Sequence, residues 1–541
     1  MKEPQPPPAS EILSSKPFQR RTRGNAYARA VTTTTPGTIH AVAEPRAFKR
    51  TEFGRNYIWG NDGVPTEGQE FNDWREWLKW EVARRDRVSK HSEPASDLAA
   101  PASEPVAGVD GVFICTLDET HVEIIQAIAP LKLHILCEKP LALSLTDCLT
   151  VYRALQPPSG SGVLPSPPTI FSIGHVLRYS PHNIKLRKLL LEDRVIGDIV
   201  SLEHTEPVGW WHFSHSYVRG NWRRATPAGD GSLLTKSCHD IDFVLWLLCS
   251  PASAENARVS GQKPHFPRSI SSAGSLTQFR PARKPAAAGA ATNCLSCPAE
   301  RECSYSAVRI YKDRHLDRGH RGWPVDIVSP DIEDVFRAHG AKAAEKRLME
   351  RLGEDYDESL PDEEVAARPW YGRCVFEADN TVCDDQVVTM AWDDEGVAPH
   401  RVAKTATFHM VAPTEKQCER RGRVYGTTGE IEYDSTTISI YDFASEKTTK
   451  IVIEKPPPER AESHGGGDYG LAGQYVAAVE AVVNEGLDVE TAQARFIGCT
   501  LEEAVQSHAV VFAAEEARRE ERVVRWGEWW EEKKSLSSNL A

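Results

Sequence analysis

The chain has 541 residues, of which 64 are Lys or Arg and 77 are Asp or Glu, so its formal net charge is −13 at pH 7. This acidic balance argues against nucleic acid or a membrane surface as a partner, because both attract clustered positive charge. No run of about 18 apolar residues is present, and the first residues lack the apolar core of a signal peptide. The sequence therefore predicts a cytoplasmic protein that acts on a small molecule.

The N-terminal third predicts a parallel sheet with helices between its strands. Residues 1–19 are rich in Pro and Ser and are predicted to be disordered. Residues 111–116 and 133–137 are apolar runs of strand length, and residues 120–131 between them have apolar side chains at helical spacing. This order is typical of a β-α-β unit, in which ligands bind beyond the carboxyl ends of the strands.

Polar segments follow both of these strands. The first is Thr116–His121, and the second is Glu138-Lys139-Pro140. Pro140 restricts the backbone of Lys139 to extended geometry, so we expect this lysine to face a bound ligand. A charged loop that merely leads into a helix is the alternative interpretation.

The C-terminal half predicts a different kind of sheet. Residues 386–392, 405–411 and 430–441 alternate between apolar and polar side chains, as in antiparallel strands with one covered face. The predicted fold is an α/β Rossmann-like N-terminal domain followed by an α+β domain with a large, mainly antiparallel open sheet. We expect this sheet to form a homo-oligomer.

The expected domain boundaries follow from shifts in composition. We expect a disordered segment at 1–19 and a Rossmann domain at 20–178 with insertions near 84–108 and 157–168. An α+β domain at 179–525 with an insertion near 250–292 and a tail at 526–541 are expected to follow.

The motifs at the strand ends resemble those of a known enzyme family. Thr116–His121 and Glu138-Lys139-Pro140 are similar to the Thr-Pro-Asn-x-x-His and Glu-Lys-Pro motifs of the Gfo/Idh/MocA oxidoreductases. Residues 229–242 resemble the family helix Gly-Gly-x-Leu-x-Asp-x-Gly-x-His-x-x-Asp. The resemblance implies an NAD(P)-dependent enzyme that transfers a hydride between nicotinamide and a secondary alcohol of a sugar, cyclitol or sugar acid.

The resemblance also implies a dinucleotide site, with one departure. The residues expected to bind the cofactor are Arg23, Gly24, Asn25, Glu44, Thr116, Asp118, His121, Glu138 and Lys139. Glu44 would accept hydrogen bonds from ribose hydroxyls, which slightly favours NAD over NADP. Gln19 and Arg21 stand where the first two loop glycines belong, and no apolar first strand is recognisable before them. A binding or scaffold protein with an impaired dinucleotide loop is therefore the alternative function.

The catalytic residues are expected on the Glu-Lys-Pro step and on the helix motif. Alcohol oxidation needs one group to take the hydroxyl proton and another to stabilise negative charge on oxygen, and Lys139 and His239 suit these roles. Lys236 and Asp240 (or Asp242) would join His239 in one polar cluster, because residues three or four apart share a helix face. The family's aspartate and glycine are replaced by Thr235 and Ser237, which indicates an altered proton relay.

A segment dense in aromatic, His and Arg side chains, residues 210–224, is predicted to contact the substrate. Aromatic faces pack on sugar rings, while Arg and His donate to hydroxyls or a carboxylate. The expected substrate-binding residues are Arg178, Tyr179, His215, Tyr217, Arg219, Trp222 and His239. A further alternative is a glycosidase or lyase that oxidises its sugar transiently with bound NAD.

Three cysteines at short spacing, Cys294, Cys297 and Cys303, suggest a structural zinc site. The fourth ligand would be Cys374, Cys383 or a histidine. Reduced structural thiols are the alternative, because one Cys-x-x-Cys pair is an incomplete set.

Overall fold

The computed structural model describes residues 23–91, 107–156, 169–226, 231–395, 401–454 and 464–538. The described residues form two compact units. The larger contains residues 23–284, 360–369 and 375–538, and the smaller contains residues 285–359 and 370–374. No helix of the described part is long and apolar enough to cross a membrane.

The strands are β1 Val42–Ala43, β2 Glu70–Phe71, β3 Gly111–Ile114, β4 His134–Cys137, β5 Phe171–Ile173, β6 Ile199–Pro207, β7 Ser269–Ser275, β8 Asp385–Trp392, β9 Lys404–Val411, β10 Arg421–Gly426, β11 Gly429–Tyr433, β12 Thr437–Asp442, β13 Lys447–Val452 and β14 Val524–Arg525. The helices are α1 Arg23–Thr34, α2 Ala47–Tyr57, α3 Trp74–His91, α4 His121–Ile128, α5 Leu145–Leu155, α6 Pro181–Arg187, α7 Trp210–Phe213, α8 Ser232–Thr235, α9 Cys238–Leu248, α10 Ala254–Ser260, α11 Val325–Val328, α12 Ile332–His339, α13 Ala341–Leu352, α14 Asp362–Ala366, α15 Gly467–Val483, α16 Val489–Ala492, α17 Leu501–Arg519 and α18 Trp526–Ser538.

The N-terminal strands of the larger unit are parallel. Strand β3 pairs with β4, β4 pairs with β5, and β1 pairs with β2 in a separate ladder. Every residue of β4 is buried, as expected for a parallel strand that is covered on both faces. Ile114 lies opposite Cys137, and Cys137 lies opposite Ile173. The residues that follow these three strands therefore meet at one edge of the sheet.

The C-terminal sheet has nine strands in the order β13-β12-β11-β10-β6-β9-β8-β7-β14. Its only parallel pair is β6 with β9, and every other neighbouring pair is antiparallel. Burial alternates along β8 and β9, and α9 and α17 pack on the sheet. The predicted fold class, a Rossmann-like domain plus a mainly antiparallel α+β domain, is confirmed.

Two segments outside the predicted domain cores contain ordered elements. The expected insertion near 250–292 includes α10 and β7, and the expected tail at 526–541 includes α18. Strand β7 is made of Ser, Ala, Gly and one Ile, so it lacks the β-branched signal of a strand. Its small side chains instead allow α17 to pack against it. In α18, Trp526, Trp529 and Trp530 are buried, which holds this helix in the fold.

The smaller unit is an insertion made mostly of helices, including α11 to α13. Its two chain segments are joined by backbone hydrogen bonds, from Cys294 N to Gly372 O at 2.9 Å and from Cys374 N to Thr292 O at 2.8 Å. Arg373 adds an ion pair to Asp355, with 2.7 Å between NH1 and Oδ1.

Candidate active site

Lys139 connects the sheet edge to the helix motif. It follows β4, and its Nζ donates a hydrogen bond to the backbone oxygen of Thr235 at 2.7 Å. Thr235 is the last residue of α8, one turn before His239 in the chain. The structure thus brings together the two motifs in which the catalytic residues were expected.

The helix motif is broken into α8 and α9, although the sequence predicted one continuous helix. The break lies at Lys236 and Ser237, and both side chains turn to Glu206 on β6. Lys236 Nζ lies 3.1 Å from Glu206 Oε1, and Ser237 Oγ donates to Glu206 Oε2 at 2.7 Å. A buried carboxylate needs such donors, so Glu206 accounts for the orientation of both side chains at the break.

His239 is the second residue of α9, and Lys139 is one of its charged neighbours. It is 3 % exposed, and its Nδ1 has no hydrogen-bond partner within the described residues. Burial, followed by the positive charges of Lys139 and Arg420, lowers the pKa of His239 well below its usual value. The imidazole is therefore neutral at physiological pH and can accept a proton.

Lys236, unlike His239, is held in its charged form. Burial lowers the pKa of Lys236, but Cys418 and Glu206 together raise it by more, so the pKa lies above the usual value of a lysine. Its Nζ donates to Cys418 Sγ at 3.0 Å. Lys236 therefore stays protonated, so it can stabilise a negative charge but cannot act as a base.

Asp240 is fully engaged within the protein. Its Oδ1 accepts hydrogen bonds from Arg420 Nε at 2.7 Å and from His204 Nε2 at 2.9 Å. Although burial opposes ionisation, these partners hold the pKa of Asp240 well below its usual range. Asp240 therefore belongs to a buried ionic network, and its catalytic role stays a prediction.

Sequence reasoning missed Glu206, Arg420 and Cys418. Arg420 NH2 bonds Glu206 Oε1 at 2.8 Å and thereby joins Glu206 to Asp240. Burial and the charge of Asp240 raise the pKa of Glu206. These three residues belong to no local motif, and β6, which carries Glu206, mixes apolar and polar side chains.

The polar groups of two predicted substrate residues have partners inside the protein. Arg178 makes a bidentate ion pair with Asp242, with both N–O distances 2.8 Å and both side chains buried. Tyr179 Oη donates to the backbone oxygen of Ile497 at 2.9 Å. The polar groups of both residues thus have partners within the protein, and their contact with a substrate stays a prediction.

Three of the four predicted substrate residues in the aromatic segment 210–224 are buried. His215, Tyr217 and Arg219 are buried, at 2 %, 2 % and 1 % exposure. Trp222 stacks on Tyr217 with 5.5 Å between ring centroids, and its Nε1 donates to Asp118 Oδ2 at 2.8 Å. Trp222 is therefore tied directly to the strand-end motif that contains Asp118.

The predicted cofactor residues lie at the start of α1 and after the strands β1, β3 and β4. Glu44 follows β1 and is half-buried, and its Oε1 accepts from the backbone N of Arg46 at 2.9 Å. Thr116 Oγ1 accepts from Thr120 Oγ1 at 2.7 Å. His121 Nδ1 donates to the Pro140 backbone oxygen at 2.8 Å, and its Nε2 has no partner in the described part of the chain.

Arg23 and Glu138 form a second ionic cluster at the start of α1. Arg23 NH1 donates to Asp468 Oδ1 at 2.6 Å, and Arg23 Nε lies 3.7 Å from Glu138 Oε1. Tyr27 Oη also donates to Glu138. The Arg23 and Glu138 side chains are thus committed to this cluster, and Arg23 has only its backbone to offer a cofactor.

The start of α1 and the end of β1 offer groups that suit a dinucleotide. A Cβ at Gly24 would be in ordinary van der Waals contact with the Cβ of Cys115 at 3.9 Å, so α1 begins close to the end of β3. Helix N-termini favour phosphate groups, and Glu44 offers a carboxylate at the end of β1. The predicted departures at Gln19 and Arg21 lie outside the described residues.

The proposed zinc ligands receive no geometric support. Cys294, Cys297 and Cys303 form no disulfide within the described residues. Among the residues for which the structure gives positions, no group of three or more His, Cys, Asp or Glu side chains is placed to hold a metal ion. The zinc site stays a prediction.

Two family models match segments of this chain. Residues 79–158 match the NAD-binding Rossmann fold of the Gfo/Idh/MocA oxidoreductase family, and residues 188–271 match its C-terminal alpha/beta domain. Segments of both domains of that family are therefore recognisable in the chain. The resemblance seen in the sequence motifs is confirmed.

Individual Gfo/Idh/MocA relatives match parts of the chain. A 2,7-anhydro-N-acetylneuraminate hydratase of Escherichia coli is 31 % identical over 140 residues, which are 26 % of this chain and 34 % of the relative. An inositol 2-dehydrogenase of Saccharopolyspora erythraea is 32 % identical over 166 residues, which are 30 % of this chain and 42 % of the relative. The chain therefore spans less than half the length of these curated relatives.

A solved structure shares the fold over most of the chain. It is a levoglucosan dehydrogenase in complex with NADH and L-sorbose, with a TM-score of 0.52 and 14 % identity, and the likeness covers 93 % of this chain and 94 % of that one. At this identity the likeness concerns the fold alone.

Proposed function

We propose that this protein is an NAD(P)-dependent oxidoreductase that acts on a secondary alcohol of a sugar, cyclitol or sugar acid. The observation that carries the proposal is the hydrogen bond from Lys139 Nζ to the Thr235 backbone oxygen. It places a lysine of the sheet edge beside the helix that bears a neutral His239. This pairing supplies the two groups that alcohol oxidation needs.

His239 is the proposed base. A bound nicotinamide would supply the acceptor for the hydride. The neutral imidazole takes the hydroxyl proton of the substrate. The O–H electron pair becomes the second bond of the C=O group while the C–H electron pair leaves with the hydride, and the Lys139 ammonium stabilises the negative charge that develops on the oxygen. Lys236 adds a second fixed cation to the same pocket, held by Glu206.

The remaining predicted site residues have supporting roles in this proposal. Glu44 would bind the ribose hydroxyls and favour NAD. Trp222 would pack against the substrate or the nicotinamide, since it is joined to the strand-end residue Asp118. His121 would orient the Glu-Lys-Pro step through its bond to Pro140.

The names of similar proteins support a carbohydrate-like substrate. One relative is an inositol 2-dehydrogenase and the structural neighbour is a levoglucosan dehydrogenase. A second candidate function is NAD-assisted hydration or elimination, which is favoured by the similarity to a hydratase. We also propose that the C-terminal sheet carries a homo-oligomer interface.

The test is a coupled assay and binding measurement. Purified protein is expected to reduce NAD with at least one member of a panel of cyclitols, anhydrosugars and sugar acids, and NADH is expected to quench its tryptophan fluorescence. Sugar turnover without net NADH formation would favour the hydratase-type reaction. Neither turnover nor quenching would favour a non-catalytic binding protein.

A further inference from the structure

The peptide unit between Pro140 and Leu141 is held at both of its polar groups by histidine side chains. Its carbonyl oxygen accepts a hydrogen bond from His121 Nδ1 at 2.8 Å, and its N–H donates to His508 Nε2 at 2.9 Å. In a trans peptide these two groups point to opposite sides. The two imidazoles therefore bind one peptide plane from opposite edges.

This peptide unit helps to determine where Lys139 lies. The ring of Pro140 fixes its φ and leaves it without an N–H, so the peptide plane that follows the proline carries the nearest backbone hydrogen bonds on that side of Lys139. The Lys139 side chain in turn directs its Nζ to the backbone oxygen of Thr235 at 2.7 Å. A rotation of the peptide plane would therefore displace the lysine.

The partners of His508 determine its tautomer. Its Nδ1 lies 2.7 Å from the backbone oxygen of Ala504, which can only accept, so Nδ1 carries the hydrogen. Its Nε2 faces the N–H of Leu141, which can only donate, so Nε2 is the acceptor. The ring is fully buried, and burial lowers the pKa of His508 to about 4. Both nitrogens of the neutral ring are therefore used.

His508 lies on α17, far along the chain from the Glu-Lys-Pro step. Helix α17 packs against α9, which bears His239, and against α5, which follows the Glu-Lys-Pro step. A capping box formed by Thr500 and Glu503 fixes the N-terminus of α17. One helix therefore contacts both motifs in which the catalytic residues are proposed.

We propose that His508 is a positioning residue of the active site, which holds Lys139 at the end of β4 through the N–H of Leu141. The inference rests on the proposed function. His508 neither gains nor loses a proton in the reaction. Its effect passes through the Pro140–Leu141 peptide to the Lys139 ammonium, whose place relative to the substrate oxygen determines how well it stabilises negative charge.

Two amide substitutions separate this role from that of a buried packing residue. The amide of glutamine ends near the position of Nε2, so His508→Gln can still accept a hydrogen bond from Leu141. Asparagine is one methylene shorter and reaches only the position of Nδ1, so His508→Asn can keep the bond to Ala504 but loses the bond to Leu141. His265→Asn, which removes another buried imidazole, is the control.

Hydrogen exchange of the cofactor-free protein, resolved at single residues by mass spectrometry, measures the bond directly. The N–H of Leu141 should exchange slowly in the wild type and in His508→Gln. In His508→Asn it should exchange about tenfold faster or more, because the amide has lost its acceptor. His265→Asn should leave the Leu141 rate unchanged. Equal Leu141 rates in His508→Asn and His508→Gln would overturn the proposal.

The catalytic consequence is expected in kcat. His508→Asn should lower kcat about tenfold to a hundredfold, since a displacement of about 1 Å can cost about 10²-fold in rate. The affinity for NADH, measured by quenching of tryptophan fluorescence, should stay that of the wild type. His508→Gln should retain most of the wild-type kcat, and so should His265→Asn. The same kcat in His508→Asn as in His508→Gln would refute the role of His508.

The two parts of the experiment separate this inference from the function on which it rests. If the wild type oxidises no alcohol with NAD or NADP, the proposed function fails, and hydrogen exchange at Leu141 still decides whether His508 holds the peptide. If the wild type turns over and the two His508 variants have equal kcat, only the inference about His508 fails.

Discussion

Arg420 and Asp240 form a buried ion pair in which Arg420 Nε lies 2.7 Å from Asp240 Oδ1 and NH2 lies 3.0 Å from Oδ2. Arg420 precedes β10, whereas Asp240 lies in the first turn of α9. The same guanidinium reaches Glu206 on β6. One arginine therefore fixes the helix that carries His239 against the nine-stranded sheet.

Replacement of this arginine should destabilise the protein strongly. Arg420→Met leaves two carboxylates buried with fewer partners, and breaking a buried pair from one side costs about 3–5 kcal/mol. Urea unfolding would measure the loss. Arg423→Met is the matched control, because Arg423 pairs with Glu430 and Glu432 at the surface, where an ion pair is worth about 1 kcal/mol or less. Similar losses in the two variants would contradict the network described here.

Stability should fall as the pH is lowered from about 6.5, the ordinary pKa of histidine. Burial lowers the pKa of His175 to about 3 and that of His508 to about 4. In this window the unfolded chain binds protons that the folded chain excludes, so each histidine contributes stability above pH 6.5 that is lost on acidification, at up to about 1.4 kcal/mol per pH unit.

The free energy of urea unfolding at pH 7 and pH 5 tests this expectation. His508→Gln should reduce the difference between the two pH values, since one excluded proton is removed. An unfolding free energy that is the same at both pH values would show that these histidines are not buried in their neutral form.

Glu44→Gln should weaken NAD binding about tenfold to a hundredfold, because hydrogen bonds to a charged acceptor contribute about 1.5–3 kcal/mol. The loss should be smaller for NADP, whose 2′-phosphate is repelled by the carboxylate of the wild type. Quenching of tryptophan fluorescence gives both affinities. Glu67→Gln is the control, because Glu67 is an exposed carboxylate ahead of β2; this variant should bind NAD as the wild type does. If Glu44→Gln binds NAD with the same affinity as the wild type, Glu44 does not belong to the cofactor site.

Local sequence patterns predicted the structural features that depend on residues close together in the chain. The apolar run 133–137 gave β4, and the Glu-Lys-Pro step after it located Lys139. The motif around His239 predicted a buried helix, since its residues recur at helical spacing. These features are set by periodicity and by turn residues, which a sequence displays directly.

The rest depends on contacts between distant segments. Glu206, Lys236 and Arg420 meet only because β6, the break before α9 and the start of β10 come together in the fold, and no spacing rule joins residues so far apart. Arg178 is of a residue type that often binds ligands, but its guanidinium forms an ion pair with Asp242. Strand β7 was missed because its small residues are selected by packing against α17 and not by strand propensity.

The central claim is that Lys139 and His239 act together in alcohol oxidation. The most direct test is the rate of NAD(P)H formation by Lys139→Ala and His239→Ala with the best substrate of the panel, in variants whose folding is checked by circular dichroism. Each substitution is predicted to lower kcat about 10²- to 10⁴-fold while NADH quenching persists. Full turnover by both variants would contradict the account.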